Sequence, residues 1–292
     1  MAMLVSSLVD EVTEVFRSYV RQQEPTTALT TTVNSSVTTL TVDDGTVVSK
    51  GLAQLEDEMI YVRSVDRTTN IVTLEPWGRG QSGSTAASHT SGSRFTQAPA
   101  TPRVRARDVL SQVLQEIFPR LFPVAATTLD INGAQLLYSL PATAYHVLAV
   151  EFQPPGASLS WIPVKRWRQN KTPTAVEIEV ISPTLPGNDT VRVHYIKTPP
   201  SALTMSDDLE TLGYPTSIRD VILFGALAKL AVTSEMSRVQ TSAVESHARS
   251  EAVPAGSATS LSRYLYQLFQ ARLEDEARNL QFRYPIVSHY TR

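Results

Sequence analysis

The sequence predicts an α+β protein: a bundle of about four helices with two small antiparallel β modules inserted between helices. Three observations carry that expectation. Apolar residues recur at three- and four-residue steps near the N-terminus, in the second hundred residues and through the last quarter. Two intervening stretches switch to a period of two, punctuated by turn residues. The segment holding Ile218, Val221, Ile222, Phe224, Ala226, Leu227, Ala228, Leu230, Ala231 and Val232 is broken mainly by Gly225 and Lys229. A helix apolar nearly all round is covered on every side, by its own domain or by neighbouring copies.

In chain order, residues 1–29 hold the first helix, with Val5, Leu8, Val12, Val15, Phe16 and Tyr19 at helical spacing and Pro25 closing it. Asp10, Glu11 and Glu14 precede Arg17 and Arg21, an order that suits the helix dipole. Residues 30–98 form the first β module: Thr39 and Thr41 before an Asp43-Asp44-Gly45 turn, then Met59 to Val65 and Ile71 to Leu74 as a hairpin about the Asp66 to Asn70 turn. A small-residue loop from Trp77 to Phe95 returns into a last strand. Residues 99–124 hold the second helix, bounded by Pro119 and Pro123. Its start (Arg103, Arg105, Arg107) opposes the dipole, so these arginines meet carboxylates or another subunit, with a solvated face as the alternative. Residues 125–200 give five candidate strands, Leu136–Leu140, Val147–Phe152, Ile162–Trp167, Val176–Ile181 and Val191–Ile196, separated by proline, glycine and asparagine turns. Residues 201–283 hold the closing helices, separated by a polar stretch from Ser237 to Thr259; the second carries Leu261, Tyr264, Leu265, Leu268, Phe269, Leu273 and Leu280. Residues 284–292 form a terminal peptide rich in aromatic and β-branched residues, with Pro285 stopping the helix. Most chain ends are small and polar, so this one reads as a docking tail.

The chain has 292 residues, 42% hydrophobic and 18% charged, enough for packed cores in roughly two domains. A net charge of −2 supplies no overall pull toward nucleic acid or anionic membrane. With no cysteine, disulfides, thiolate metal sites and cysteine nucleophiles are excluded. The start lacks a basic-then-apolar leader pattern, and the apolar run from Val221 to Val232 falls short of the ~20 residues a bilayer span needs. A soluble, unexported protein with no membrane partner is expected.

No catalytic constellation emerges. The five histidines stand singly, without metal-ligand spacing, and no nucleophile elbow, phosphate loop or dinucleotide fingerprint occurs. His89 reads as a loop hydrogen-bonder, and His146 and His194 as packed or edge residues. Asp207, Asp208 and Glu210 read as a solvated loop rather than a cation site, and Glu56, Asp57 and Glu58 as a solvated strand edge. Trp161 and Trp167 flank Lys165 and Arg166, with Arg168 just beyond; a packed pair with solvated charges outweighs base stacking. The expectation is no enzyme, no cofactor and no metal.

Two stretches carry a family resemblance. Arg79-Gly80 with Gly83, Ala86, His89 and Gly92, after Glu58-Met59-Ile60-Tyr61-Val62, is similar to a small β module of tailed-bacteriophage virion proteins. The helical frame (the Phe118 to Pro123 motif, the apolar helix, and Arg272 to Arg278) resembles head-to-tail adaptor, connector or head-completion proteins of siphovirus-type phages. The resemblance implies a homo-oligomeric ring, commonly of twelve copies, below the portal, with DNA passing as cargo through the lumen. It implies a portal-binding tail (Tyr284, Pro285, Ile286, Val287, His289, Tyr290, Arg292) and a next neck component, stopper or tail terminator, met by the β modules. Ile218, Val221, Ile222, Leu227, Leu230, Leu265, Leu268 and Phe269 would be subunit-interface residues, covered by the adjacent copy. The competing expectation is a minor tail or baseplate protein whose glycine-rich module binds a host surface or sugar, with Trp77, Trp161 and Trp167 as stacking platforms.

Overall fold

A computed structural model describes residues 3–19, 24–131, 137–153, 161–172, 175–180, 189–245 and 257–285. Helix α1 (Val5–Tyr19) buries Val5, Leu8, Val9, Val12 and Phe16 along one stripe. Strands β1 (Thr26–Ala28), β2 (Thr39–Thr41), β3 (Gly51–Leu55), β4 (Glu58–Asp66), β5 (Ile71–Leu74) and β6 (Arg94–Gln97) make one antiparallel sheet in the order β1-β6-β3-β4-β5-β2. Alternate residues of these strands (Leu40, Leu55, Ile60, Val62, Val72, Leu74 and Phe95) fill a separate core. The hairpin expected about Asp66 to Asn70 is β4–β5, with Asp66 opposite Ile71. The module starts a little before residue 30, because Thr26 pairs with Thr96.

Helix α2 (Arg103–Ile117) follows. Of the arginines at its start, Arg103 and Arg107 meet carboxylates of the same chain and Arg105 is exposed. Arg103 pairs with Asp10 of α1 and, at 2.6 Å, with Asp57 at the β3–β4 turn, while its backbone N–H donates to Gln54 Oε1 at 3.1 Å. A side chain of the β module thus caps a helix that has no capping residue of its own.

Strands β7 (Val124–Ile131), β8 (Leu137–Ser139), β9 (Ala144–Gln153), β10 (Ile162–Pro163), β11 (Trp167–Lys171), β12 (Val176–Val180) and β13 (Asp189–Lys197) form two further antiparallel sheets, β10-β9-β13-β7 and β11-β12-β8. Val147, Val150, Trp167, Ile178, Val191 and Val193 are among the side chains packed between them. The single strand expected over Ile162–Trp167 is two. Val164 N–H still bonds Val150 O, after which the chain leaves β9 and crosses to the other sheet.

Helices α3 (Arg219–Glu245) and α4 (Ser257–Arg283) close the fold. The polar stretch from Ser237 does not begin as a linker: α3 runs through it to Glu245, since serine, alanine, glutamine and glutamate sustain a helix already nucleated by its apolar start. The four helices share one core with Leu121, Phe122, Leu203, Leu209 and Tyr214. Gly225 lets α3 approach closely, for a Cβ there would lie 2.9 Å from both Phe269 of α4 and Val113 of α2. Lys229, which interrupts the apolar segment, reaches Glu116 of α2 at 2.8 Å.

The expected fold class is corrected by this architecture. Thirteen strands in three sheets, among the described residues, accompany four helices, so the chain is mainly β-rich and not a helical bundle with small β inserts. Strand β7 carries little strand signal, because its sequence, VAATTLDI, has small and threonine side chains where a half-buried strand usually shows large apolar alternation.

Candidate functional site

Three places combine unusual chemistry with unusual exposure: a closed polar cluster in the first β module, the exposed face of α4, and a cleft beneath its C-terminal end.

The cluster is built around Glu58, whose side chain is 1% exposed. Arg79 Nε and Nη2 donate to its two oxygens at 2.6 and 2.8 Å, and Gly80 N–H and Ala87 N–H donate at 2.9 and 3.0 Å. His89 Nε2 lies 2.9 Å from Glu58 Oε2, and His89 Nδ1 lies 2.8 Å from Glu56 Oε2. Arg79 also donates to the carbonyls of Asn34, Val37 and Ala87. These bonds use all five N–H groups a guanidinium carries. Burial alone would raise the Glu58 carboxyl; the bonds from Arg79, His89, Ala87 and Gly80 outweigh it and hold it at about 2. Burial would lower His89, but its bonds to Glu58 and Glu56 outweigh that and raise it. The cluster therefore clamps three loops together with its own partners. His89 is a loop hydrogen-bonder, as expected. Glu58 is not the solvated edge residue its acidic neighbours suggest: its partners lie 21 and 31 positions away.

The expected interface residues lie mostly in the interior of one copy. Ile218, Val221 and Ile222 are 0% exposed, and Leu227, Leu230, Leu265 and Phe269 are buried by helices of the same chain; Leu268 is half-buried. Their apolar character is accounted for without a second copy. The exposed apolar side chains of the hairpin are others: Val232, Tyr264, Tyr266 and Phe282, the last 92% exposed.

Of the expected tail, Ile286, Val287, His289, Tyr290 and Arg292 lie outside the described residues. Tyr284 does not stand free. It packs against the helical core, and its N–H donates to Leu280 O at 2.8 Å; Pro285 is exposed.

The cleft, about 390 Å³, lies between the start of β7, the 210–217 loop and the end of α4. Its walls include Val124, Ala125, Pro215, Leu280 and Tyr284. Gly213 holds the loop against β7: its φ is +102°, Val124 N–H donates to its carbonyl at 3.0 Å, and a Cβ would sit 2.4 Å from Val124 O. Glu210 and Tyr214, two of the residues around this cleft, each carry an enclosed polar atom without a hydrogen-bond partner, Glu210 Oε1 and the Tyr214 hydroxyl, and Tyr214 is only 3% exposed. Burial pushes the Tyr214 hydroxyl up, so it stays a neutral donor.

Other sequence candidates serve the fold. Asp208 Oδ1 accepts from the backbone of Met3 and Glu210, and Asp207 Oδ2 from that of Thr204, so the acidic loop braces the start of α1. Trp167 is buried and Arg192 covers Trp161, whereas Trp77 is 58% exposed and tilts over Tyr61. Burial pushes His146 down, with the Lys171 charge adding to it. His194 stands 3.3 Å from Glu151, and His247 lies outside the described residues. Among the described residues no group of three or more His, Asp or Glu is placed to hold a metal, and no helix is long and apolar enough to cross a membrane.

No protein-family model matches the chain, and no curated protein sequence does. Among solved structures it is similar to a chain in the neck of an empty GTA particle computed with C6 symmetry, and to a chain in the virion of a native gene transfer agent (GTA) particle. Each likeness has a TM-score of 0.24 and 14% identity, covering 56% of this chain and 77% of the other. At that TM-score the likeness carries no argument by itself.

Proposed function

We propose that this chain is a structural protein of a phage-like virion neck, forming a ring below the portal that joins the DNA-filled head to the tail and leaves a channel for DNA. One observation carries the reading. Glu58, Arg79, Gly80 and His89, on which the resemblance to tailed-phage virion modules rests, converge in a single closed cluster. The resemblance thus falls on a working structural device rather than on scattered letters. In this reading the tail meets the portal, the β modules meet the next neck component, and the ring has the twelve copies its resemblance implies. The exposed aromatics of α4 offer the surface on which sister copies meet, since the buried helix residues are already covered. A net charge of −2 suits a lumen that passes DNA without the counterion-release affinity of a basic groove.

The test is fractionation. Particles from the producing cell are dissociated into heads and tails, and each fraction is assayed for this chain by mass spectrometry. Co-fractionation with the portal is expected; recovery only with distal tail components would overturn the neck assignment and favour the second reading. That second reading, a tail or baseplate protein with a sugar-binding β module, retains one specific support, the exposed Trp77 over Tyr61.

A further inference from the structure

A groove of about 430 Å³ lies between α3 and α4, with Glu116 of α2 among its lining. Short residues on α3, Gly225 and Ala228, open it, and Val232, Tyr266 and Phe269 give it apolar walls. Val232 and Tyr266 remain half-exposed there, which water does not reward. The rings of Tyr266 and Phe269 are tilted against each other with centroids 5.9 Å apart. An entering aromatic ring would therefore meet ring edges as well as aliphatic carbon, the arrangement aromatic side chains favour.

The same chain carries a side chain of that kind. Phe282 is 92% exposed, the most exposed large apolar side chain among the described residues. It stands on α4 itself, and from Phe269 to Phe282 that continuous helix rises about 20 Å. Phe282 is thus held away from the groove of its own copy, and only another copy can bring it there. The charges match as well. Asp275, Arg278 and Phe282 follow one another at helical steps of three and four and share a face. Arg263 lines the groove and is exposed; among the described residues neither it nor Asp275 meets an opposite charge. Arg278 meets Glu274 only at 3.9 Å, and the groove offers Glu116.

We propose that Phe282 of one copy seats in the α3–α4 groove of the next, against Val232 and Tyr266, with Asp275 of the first copy on Arg263 of the second and Arg278 on Glu116. An enclosed aromatic anchor ringed by polar contacts is the form in which interfaces concentrate their energy. Knob and groove sit at different places on the chain, so each copy gives one contact and receives another. Such a heterologous contact closes into a ring when its rotation allows. The inference rests on the ring reading for that closure, though not for the contact itself.

The experiment uses the full chain with Phe282→p-benzoylphenylalanine, which keeps an aromatic ring at the anchor. Equal parts of unlabelled and 15N-labelled protein are mixed, irradiated and digested for mass spectrometry. Crosslinks from position 282 to residues 225–232 or 262–269, in mixed light–heavy pairs, are expected. Arg263→Glu sets like charges against Asp275 and should lower their yield at least fivefold, with thermal unfolding unchanged. Adding Asp275→Arg to the same chain reverses both charges and should restore the yield, which a merely misfolded groove would not do. Crosslinks absent altogether, within single copies only, at other surfaces only, or indifferent to the charge reversal would overturn the proposal, as would a loss that the second reversal does not restore. The expected crosslinks in a protein that fractionates with distal tail components would leave the contact standing and remove the neck reading. Their absence from a protein that co-fractionates with the portal would remove the contact alone.

Discussion

Replacing Glu58 with glutamine removes one charge and keeps the shape, so it isolates what the carboxylate contributes. Five hydrogen bonds end on its two oxygens, from Arg79 twice, Gly80, Ala87 and His89. A carboxyl held at about 2 instead of near 4.5 is worth about 3 kcal/mol of folding stability at neutral pH, at ~1.4 kcal/mol per tenfold. The buried-pair argument gives the same order, about 3–5 kcal/mol, because Arg79 stays enclosed without its counter-charge. Such a loss lowers the melting temperature by about 10–20 °C if the β module unfolds as a unit of its size. The assay is thermal unfolding at pH 7 combined with hydrogen exchange at the Gly80 and Ala87 amides, which should lose protection together. A loss below about 1 kcal/mol with both amides still protected would refute the clamp. The pH dependence has a definite sign. Glu58 titrates lower folded than unfolded, so its contribution is present above about pH 4.5 and fades as pH falls toward 2. His89 titrates higher folded than unfolded, so its contribution is complete below about 6.5 and is lost as pH rises through its folded value. Glu58 and Glu56 bond that imidazole and the Asp57 charge acts on it too, and with the two limbs opposed the module should be most stable between those limits.

His89→Gln should remove the alkaline limb of that profile while leaving the acid limb, checked by melting temperature from pH 5 to 9. Gly213→Ala should cost about 2 kcal/mol or more, because a positive φ and a 2.4 Å approach to Val124 O forbid the methyl; chemical denaturation reads it. Leu227→Asp places an unpaired charge at a position 2% exposed, and should abolish soluble folded protein, as judged by expression and far-ultraviolet dichroism. Removal of residues 286–292, leaving Tyr284 in its packing, should preserve helicity and eliminate incorporation into particles, measured by immunoblot of purified virions.

Local periodicity determined the helices and the first hairpin. The stripe of Val5, Leu8, Val12 and Phe16 and the all-round apolar character of α3 are written in neighbouring residues, and a helix or a two-strand turn needs nothing further. The candidate site is legible in the sequence only as letters: Glu58, Arg79, Gly80 and His89 all fall in the motif that carries the resemblance, but the acids beside Glu58 make it read as a solvated strand edge. Tertiary structure alone decided what could not be local. Gly213 had to meet Val124 before the cleft existed, Thr26 had to find Thr96 to close the first sheet, and Val164 had to remain on β9 before the chain changed sheets. Those contacts depend on where distant segments are brought by the fold, and burial by the same chain, not by a second copy, is what covers Ile222, Leu227 and Phe269. Sequence spacing sets which face of an element is apolar; only packing in three dimensions sets what that face is apolar against.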